Sequence, residues 1–307
     1  MSVTLLRQGF EPVTDAYADI FVQGANTMTN NGSRVQAVVF DWAGTTVDYG
    51  CHAPLAVFID VFARRGVEVA PAEVRRFMGL PKQEHLRALL RSDSVTRQWL
   101  ERFDSEPDAH DLDELYADFE PMLLGVLPNF TEPIPGVVGL VGRLRAKGMR
   151  IGSCTGYSEE MMDVVAPRAA ERGFEPDVVV TPDYVPAGRP APFMCYENAI
   201  RLGVYPLDTM VKVGDTVADI KEGRNAGAWS VGVILGGNEI GFTRQETLSL
   251  PAEVLDAKAA QVEERFFQAG AHYVIRSIDR FEEVLESIDR RLAAGDHAVA
   301  CGFGRSV

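Results

Sequence analysis

The sequence predicts an α/β protein: a parallel sheet with helices on both faces, into which an all-helical cap is inserted. Two observations carry this. Six short, nearly continuous apolar runs end at small or acidic residues, and each is followed by a helical pattern. Strands of a parallel sheet covered on both faces read in this way. By contrast, the interval from about Gly50 to Pro133 contains no such run.

Residues up to about Arg34 carry few periodic apolar positions, and TNNGS (29–33) reads as a flexible joint, so 1–34 is expected to be an N-terminal arm. The first strand is VQAVVF (35–40). After it, Leu55, Phe58, Ile59 and Phe62 fall at i, i+3, i+4 and i+7 and mark one helix face. Further helical patterns cover roughly 71–78, 82–90, 94–103 and 111–124. A helical block placed directly after the first strand sits above the strand ends, so 50–130 is read as the cap. The other strands are MRIGS (149–153), DVVVT (177–181), MVKVG (210–214), WSVGVI (229–234) and AHYVIR (271–276). They give a Rossmann-like core of 35–49 and 131–294, in which ligands bind outside the carboxyl ends of the strands. The closing GDHAVACGFGRSV lacks a pattern, so 295–307 is expected to be a loose tail.

At 307 residues, 46% hydrophobic and 24% charged, the chain has the composition of a globular protein with room for a second module. The net charge of −14 disfavours nucleic-acid and anionic-membrane partners, while a local cation cluster can still hold a small anion. No apolar run is long enough to span a bilayer, and MSVTLLRQGFEP lacks the basic start and apolar stretch of a signal peptide. A cytoplasmic location follows as the expectation. Cys51, Cys154, Cys195 and Cys301 show neither CxxC nor zinc spacing and are read as reduced, mostly core thiols.

The first strand ends in DWAGTTVD, which presents Asp41 at a strand end before a tight turn at Gly44. A capping or turn aspartate would look the same in isolation. The second strand runs into GSCTGYS, where Thr155 and Gly156 can offer a hydroxyl and a backbone N–H to phosphoryl oxygens. Arg189 lies in PAGRP, and the fourth strand ends in GDTVAD, with Asp215 and Asp219 four apart. One of these carboxylates can be a helix cap. Two of them facing Asp41 make an oxygen-rich site suited to Mg²⁺.

In this order, the nucleophilic Asp, the Ser/Thr, the Lys/Arg and the paired acids resemble the haloacid dehalogenase superfamily. The resemblance implies that Asp41 attacks phosphorus and forms an aspartyl-phosphate, with Arg189, Thr155 and Gly156 holding the oxygens. Most phosphatases of that superfamily carry a second aspartate two residues after the nucleophile, which protonates the leaving group. Here that position is Ala43. The segment MGLPKQEH places Lys82 in a first helical turn behind Pro81, with His85 on the same face. Each of the two, alone, is an ordinary surface residue. A buried lysine neutral near pH 7 forms a Schiff base with an aldehyde, His85 can shuttle protons, and the leaving group can then depart as an enamine that needs no acid.

DWAGTTVDYGCHAPL, MGLPKQEH, GSCTGYSEEMM, PAGRPAPFMCYENA and KVGDTVADIKEGRNAG are similar to segments of the phosphonoacetaldehyde hydrolase (phosphonatase) family, which cleaves a P–C bond to give acetaldehyde and phosphate. The resemblance covers roughly Val35 to Arg290. It implies Mg²⁺ held by Asp41, the Ala43 carbonyl and Asp215, with Asp219 supporting from behind. It also implies a Schiff base on Lys82, and Met78, His85 and Tyr157 in or behind the pocket, with Cys51 nearby. It further implies a homodimer paired through the caps and a role in 2-aminoethylphosphonate breakdown. A metal-free 2-haloacid dehalogenase, a sugar-phosphate phosphatase or mutase, and a binding protein without turnover are the competing readings. The Asp215/Asp219 pair argues against the first, Ala43 against the second, and the intact set of Asp41, Arg189, Asp215 and Asp219 against the third.

Overall fold

The computed structural model describes residues 33–298 and the two-residue strand Arg305–Ser306. The expected arm and most of the expected tail lie outside the described residues, as does Cys301. Seven parallel strands form one sheet in the order β3-β2-β1-β4-β5-β6-β7. They are β1 (Ala37–Phe40), β2 (Arg150–Cys154), β3 (Val178–Val180), β4 (Met210–Gly214), β5 (Trp229–Val233), β6 (Tyr273–Ile275) and β7 (Arg305–Ser306). Each of the six apolar runs supplies one strand, and β7 adds a short edge beside β6.

The sheet is apolar on both sides because successive side chains of a strand point to opposite faces. Val38 and Phe40 of β1 join the core beneath α6 (Val137–Ala146), α7 (Glu159–Glu171) and α12 (Phe281–Ala293). Ala37 and Val39 face the other way, toward α8 (Phe193–Leu202). On that second side, Val274 of β6 packs with α9 (Val217–Ala226) and α11 (Ala252–Gln268). A short helix, α10 (Arg244–Ser249), precedes α11.

The cap is built from α1 (His52–Ala63), α2 (Pro71–Arg76), α3 (Lys82–Leu90), α4 (Asp93–Phe103) and α5 (Ala109–Val126). Phe58 of α1 packs on Phe119 of α5 with ring centroids 4.4 Å apart. The linker into the cap turns through positive φ at Asp48 (53°), Gly50 (89°) and Cys51 (52°). Asp48 is held there because its carboxylate accepts from the His52 and Ala53 N–H groups, both at 3.0 Å, at the start of α1.

The chain crosses from β1 to β2 and β3 on one side and then returns to β4 on the other. The gap between β1 and β4 is therefore the point where strand order reverses, the ordinary ligand position in such sheets. Asp41 and Asp215 directly follow these two strands.

Candidate active site

The Asp41 N–H donates to the Val213 carbonyl at 2.9 Å, which fixes the end of β1 against β4. Beyond it the chain folds back, with the N–H groups of Thr45, Thr46 and Val47 all donating to the Trp42 carbonyl. Gly44 takes φ +92°, and a Cβ there would lie 2.2 Å from Asp215 Oδ2, so glycine alone permits this approach. Asp215 accepts from Thr45 Oγ1 at 2.7 Å and from the Asn238 N–H at 2.7 Å. Asp219 closes a capping box with Thr216 at the start of α9.

Arg189 is almost fully buried and its guanidinium is held on every side. Its Nη2 lies 2.7 Å from Asp41 Oδ1, Nη1 3.0 Å from Asp219 Oδ1 and Nε 2.9 Å from Glu222 Oε2. Nη2 also donates to the Cys154 carbonyl at 2.7 Å. Lys212 Nζ sits 2.6 Å from Asp219 Oδ1 and 3.6 Å from Glu222 Oε2.

Asp41, Asp215 and Asp219 offer oxygens that all lie within 4.8 Å of one another. Asp219 has its Oδ1 on Arg189 and Lys212 and its Oδ2 on Thr216. It therefore backs the site, while Asp41 and Asp215 face each other. Four buried carboxylates (Asp41, Asp215, Asp219, Glu222) are set against two buried cations (Arg189, Lys212). The all-oxygen donor set fits a hard dication. Burial, with repulsion from Asp41 and Asp219, pushes the Asp215 carboxyl well above its ordinary range, and burial likewise raises Asp41. Bound dications reverse such shifts.

The cap is seated directly on this centre. A Cβ on Gly156 would meet the Leu80 carbonyl at 2.5 Å, and one on Gly79 would meet Thr216 Oγ1 at 2.4 Å. Between the two bodies remains a cleft of only ≈ 20 Å³, bordered by Asp41, Ala43, Cys51, Met78, Lys82 and Tyr157 among others. That holds about one water, less than a substrate of several heavy atoms needs. Lys82 is 7% exposed, and its Nζ stands 4.6 Å from the Tyr157 ring centroid and 6.0 Å from that of Phe58. Burial lowers its ammonium to about 8 despite Cys51 and Asp41, which act the other way.

A haloacid dehalogenase-like hydrolase family profile matches residues 35–227. A phosphonoacetaldehyde hydrolase of Bacillus cytotoxicus is 50% identical over 258 residues, which is 84% of this chain and 98% of that one. A bifunctional phosphonoacetaldehyde hydrolase/aminoethylphosphonate transaminase of Clostridioides difficile is 49% identical over 86% of this chain and 42% of its own length. The crystal structure of a phosphonoacetaldehyde hydrolase-like protein from Oleispira antarctica superimposes with a TM-score of 0.85 at 36% identity, covering 87% and 96% of the two chains. The chain belongs to the haloacid dehalogenase-like hydrolases.

Asp41, Thr155, Gly156, Arg189 and Lys82 all border this cleft, joined by Ala43, Met78 and Tyr157. Asp215 and Asp219 stand against its acidic side. The Thr155 hydroxyl accepts from the Tyr157 N–H at 3.1 Å. His85 is placed differently from the rest. It is fully buried behind Lys82, its ring tilted by 34° against Phe58 at 3.8 Å between centroids, and borders the cleft only through its neighbours. Burial and the Lys82 charge hold its imidazole well below the usual range, which keeps it neutral. Pro81 is the residue before α3 rather than inside it, which makes Lys82 the first helical residue.

Two members of the site were not singled out from sequence: Lys212 and Glu222. Lys212 carried a signal, since a lysine inside a strand buried on both faces requires a carboxylate partner. Glu222 lies three residues after Asp219 and so shares its helix face.

Proposed function

We propose that the chain hydrolyses phosphonoacetaldehyde to acetaldehyde and phosphate through a Schiff base on Lys82 and an aspartyl-phosphate on Asp41. The observation that carries this reading is the shared cleft: a buried lysine with a lowered pKa opposite the nucleophilic carboxylate, with Ala43 where an acid would stand. The relatives named for this activity add to it.

In its neutral form the Lys82 amine attacks the aldehyde carbon, and loss of water gives an iminium. His85 and Tyr157 carry or steer the protons of that step. The Asp41 carboxylate then attacks phosphorus, and the P–C bonding pair passes into the iminium to leave an enamine. Arg189, the Thr155 hydroxyl and the Gly156 N–H hold the phosphonate oxygens in line. Protonation and hydrolysis of the enamine release acetaldehyde and restore Lys82. A second water cleaves the aspartyl-phosphate and releases phosphate, so one water is consumed overall.

We assign Mg²⁺ to the Asp41 carboxylate, the Ala43 carbonyl and Asp215, with Asp219 behind them. When bound it supplies the positive charge that lets one anion approach another. Incubation with phosphonoacetaldehyde is expected to yield acetaldehyde and phosphate in equal amounts and to stop in excess chelator. Full turnover in chelator counts against the metal, and phosphate without acetaldehyde counts against the substrate.

Because an enamine leaving group needs no acid, Ala43→Asp is expected not to raise phosphonoacetaldehyde turnover and to add slow phosphate-ester hydrolysis. Faster cleavage of phosphonoacetaldehyde by that variant contradicts the account of Ala43.

The bifunctional relative joins this activity to an aminoethylphosphonate transaminase in one chain, which supports a place in 2-aminoethylphosphonate breakdown. No helix among the described residues is long and apolar enough to cross a membrane. The free, buried Cys51, Cys154 and Cys195 fit the reducing cytoplasm that we assign. We also keep the homodimer paired through the caps. Leu100 (46% exposed) and Phe103 (43%) on α4 offer it an apolar surface, and a single-chain mass in solution removes it.

A further inference from the structure

We infer that Arg75 and Asn238 form a latch that couples closure of the cap to the position of the Asp215 carboxylate. The two residues are 163 positions apart and belong to different bodies, Arg75 to α2 of the cap and Asn238 to the core loop after β5. They exchange hydrogen bonds in both directions. Arg75 Nη1 donates to Asn238 Oδ1 at 3.1 Å, and Asn238 Nδ2 donates to the Arg75 carbonyl at 2.9 Å. The remaining reach of the guanidinium is spent on backbone, with Nη1 donating to the Gly50 carbonyl at 2.8 Å and Nη2 to the Gly241 carbonyl at 3.2 Å. One planar fork thus ties together the cap, the cap linker and the core loop.

The same asparagine reaches the metal site. Its backbone N–H donates to Asp215 Oδ2 at 2.7 Å, and Asn238 is completely buried. When the cap leaves, the Asn238 amide loses both of its hydrogen bonds to Arg75, and an amide left without partners is costly. The loop must then rearrange or hydrate, and its grip on Asp215 slackens. A closed cap holds Asp215 in place, and by reciprocity whatever closure adds to metal affinity, the metal adds to closure by the same factor. Arg75 and Asn238 are positioning residues, since neither lies at the reacting atoms.

This inference rests on the assignment of a divalent cation to Asp215, but not on the identity of the substrate. Its test therefore omits phosphonoacetaldehyde. Mg²⁺ is titrated calorimetrically into the wild-type chain and into Arg75→Lys, which keeps the charge but lacks the second branch of the fork. The variant is expected to bind Mg²⁺ about tenfold more weakly, equivalent to about 1.4 kcal/mol. Equal dissociation constants overturn the coupling. Should the variant fail to fold, the wild type decides alone by hydrogen exchange. Added Mg²⁺ is expected to slow exchange of the amides around 48–52 and 74–78, and unchanged exchange overturns the latch. A wild-type chain that binds no Mg²⁺ overturns both the latch and the metal assignment beneath it, whereas loss of the phosphonoacetaldehyde reading leaves every arm intact.

Discussion

Asp41→Asn is expected to abolish phosphate release, with kcat falling by at least four decades, or about 5–6 kcal/mol of transition-state stabilisation. The carboxamide is a poor nucleophile and a weaker metal ligand, and no other carboxylate can take over. Asp219 has both oxygens engaged by Arg189, Lys212 and Thr216, and Asp215 is turned toward Thr45 and Asn238. The fold should survive, because Arg189 keeps its Asp219 and Glu222 partners and one crowded buried charge disappears. A thermal melt within a few degrees of wild type, together with lost phosphate release, is the expected pair of results. Phosphate release within tenfold of wild type removes Asp41 as the nucleophile.

The sheet was legible because its strands are buried on both faces, which leaves runs such as VVF and MVKVG with almost no polar interruption. The cap was legible by the loss of that signal over some eighty residues, together with a stripe on α1 of which Leu55, Phe58 and Phe62 are buried and Ile59 is half-buried. Chemistry-bearing residues were legible because they sit where apolar runs stop, as Asp41, Thr155 and Asp215 do. What escaped depends on three-dimensional placement. Glu222, between Lys221 and Gly223, reads as an ordinary surface residue of a charged helix, and only the fold brings Arg189, from the loop after β3, and Lys212 of β4 against it. Arg75 and Asn238 carry no local pattern at all. Strand β7 is too short and too polar to register as a strand, and its pairing comes from the open edge of β6.

The second large effect is expected at Lys82. Lys82→Arg keeps a positive charge near the phosphonate, but a guanidinium stays protonated and cannot attack a carbonyl. Without the iminium, nothing in the cleft accepts the P–C bonding electrons. A fall of about four decades in the chemical step is expected, again about 5–6 kcal/mol. The pH dependence carries a further check. With its pKa lowered to about 8, roughly one Lys82 in ten is neutral at pH 7, against roughly one in 2,500 for a free lysine at about 10.4. Because the neutral amine reacts, imine formation should rise with pH through about 8 and level off above it. A rate still rising steeply at pH 10 means that Lys82 is not buried during turnover.

The central claim is that the P–C bond breaks only after the substrate aldehyde has become an iminium on Lys82. Borohydride added during turnover of phosphonoacetaldehyde reduces such an iminium to a stable secondary amine. The account predicts irreversible inactivation that requires substrate, and a single adduct that mass spectrometry places on the peptide containing Lys82. Full activity after borohydride treatment during turnover, or an adduct on a different lysine, contradicts it.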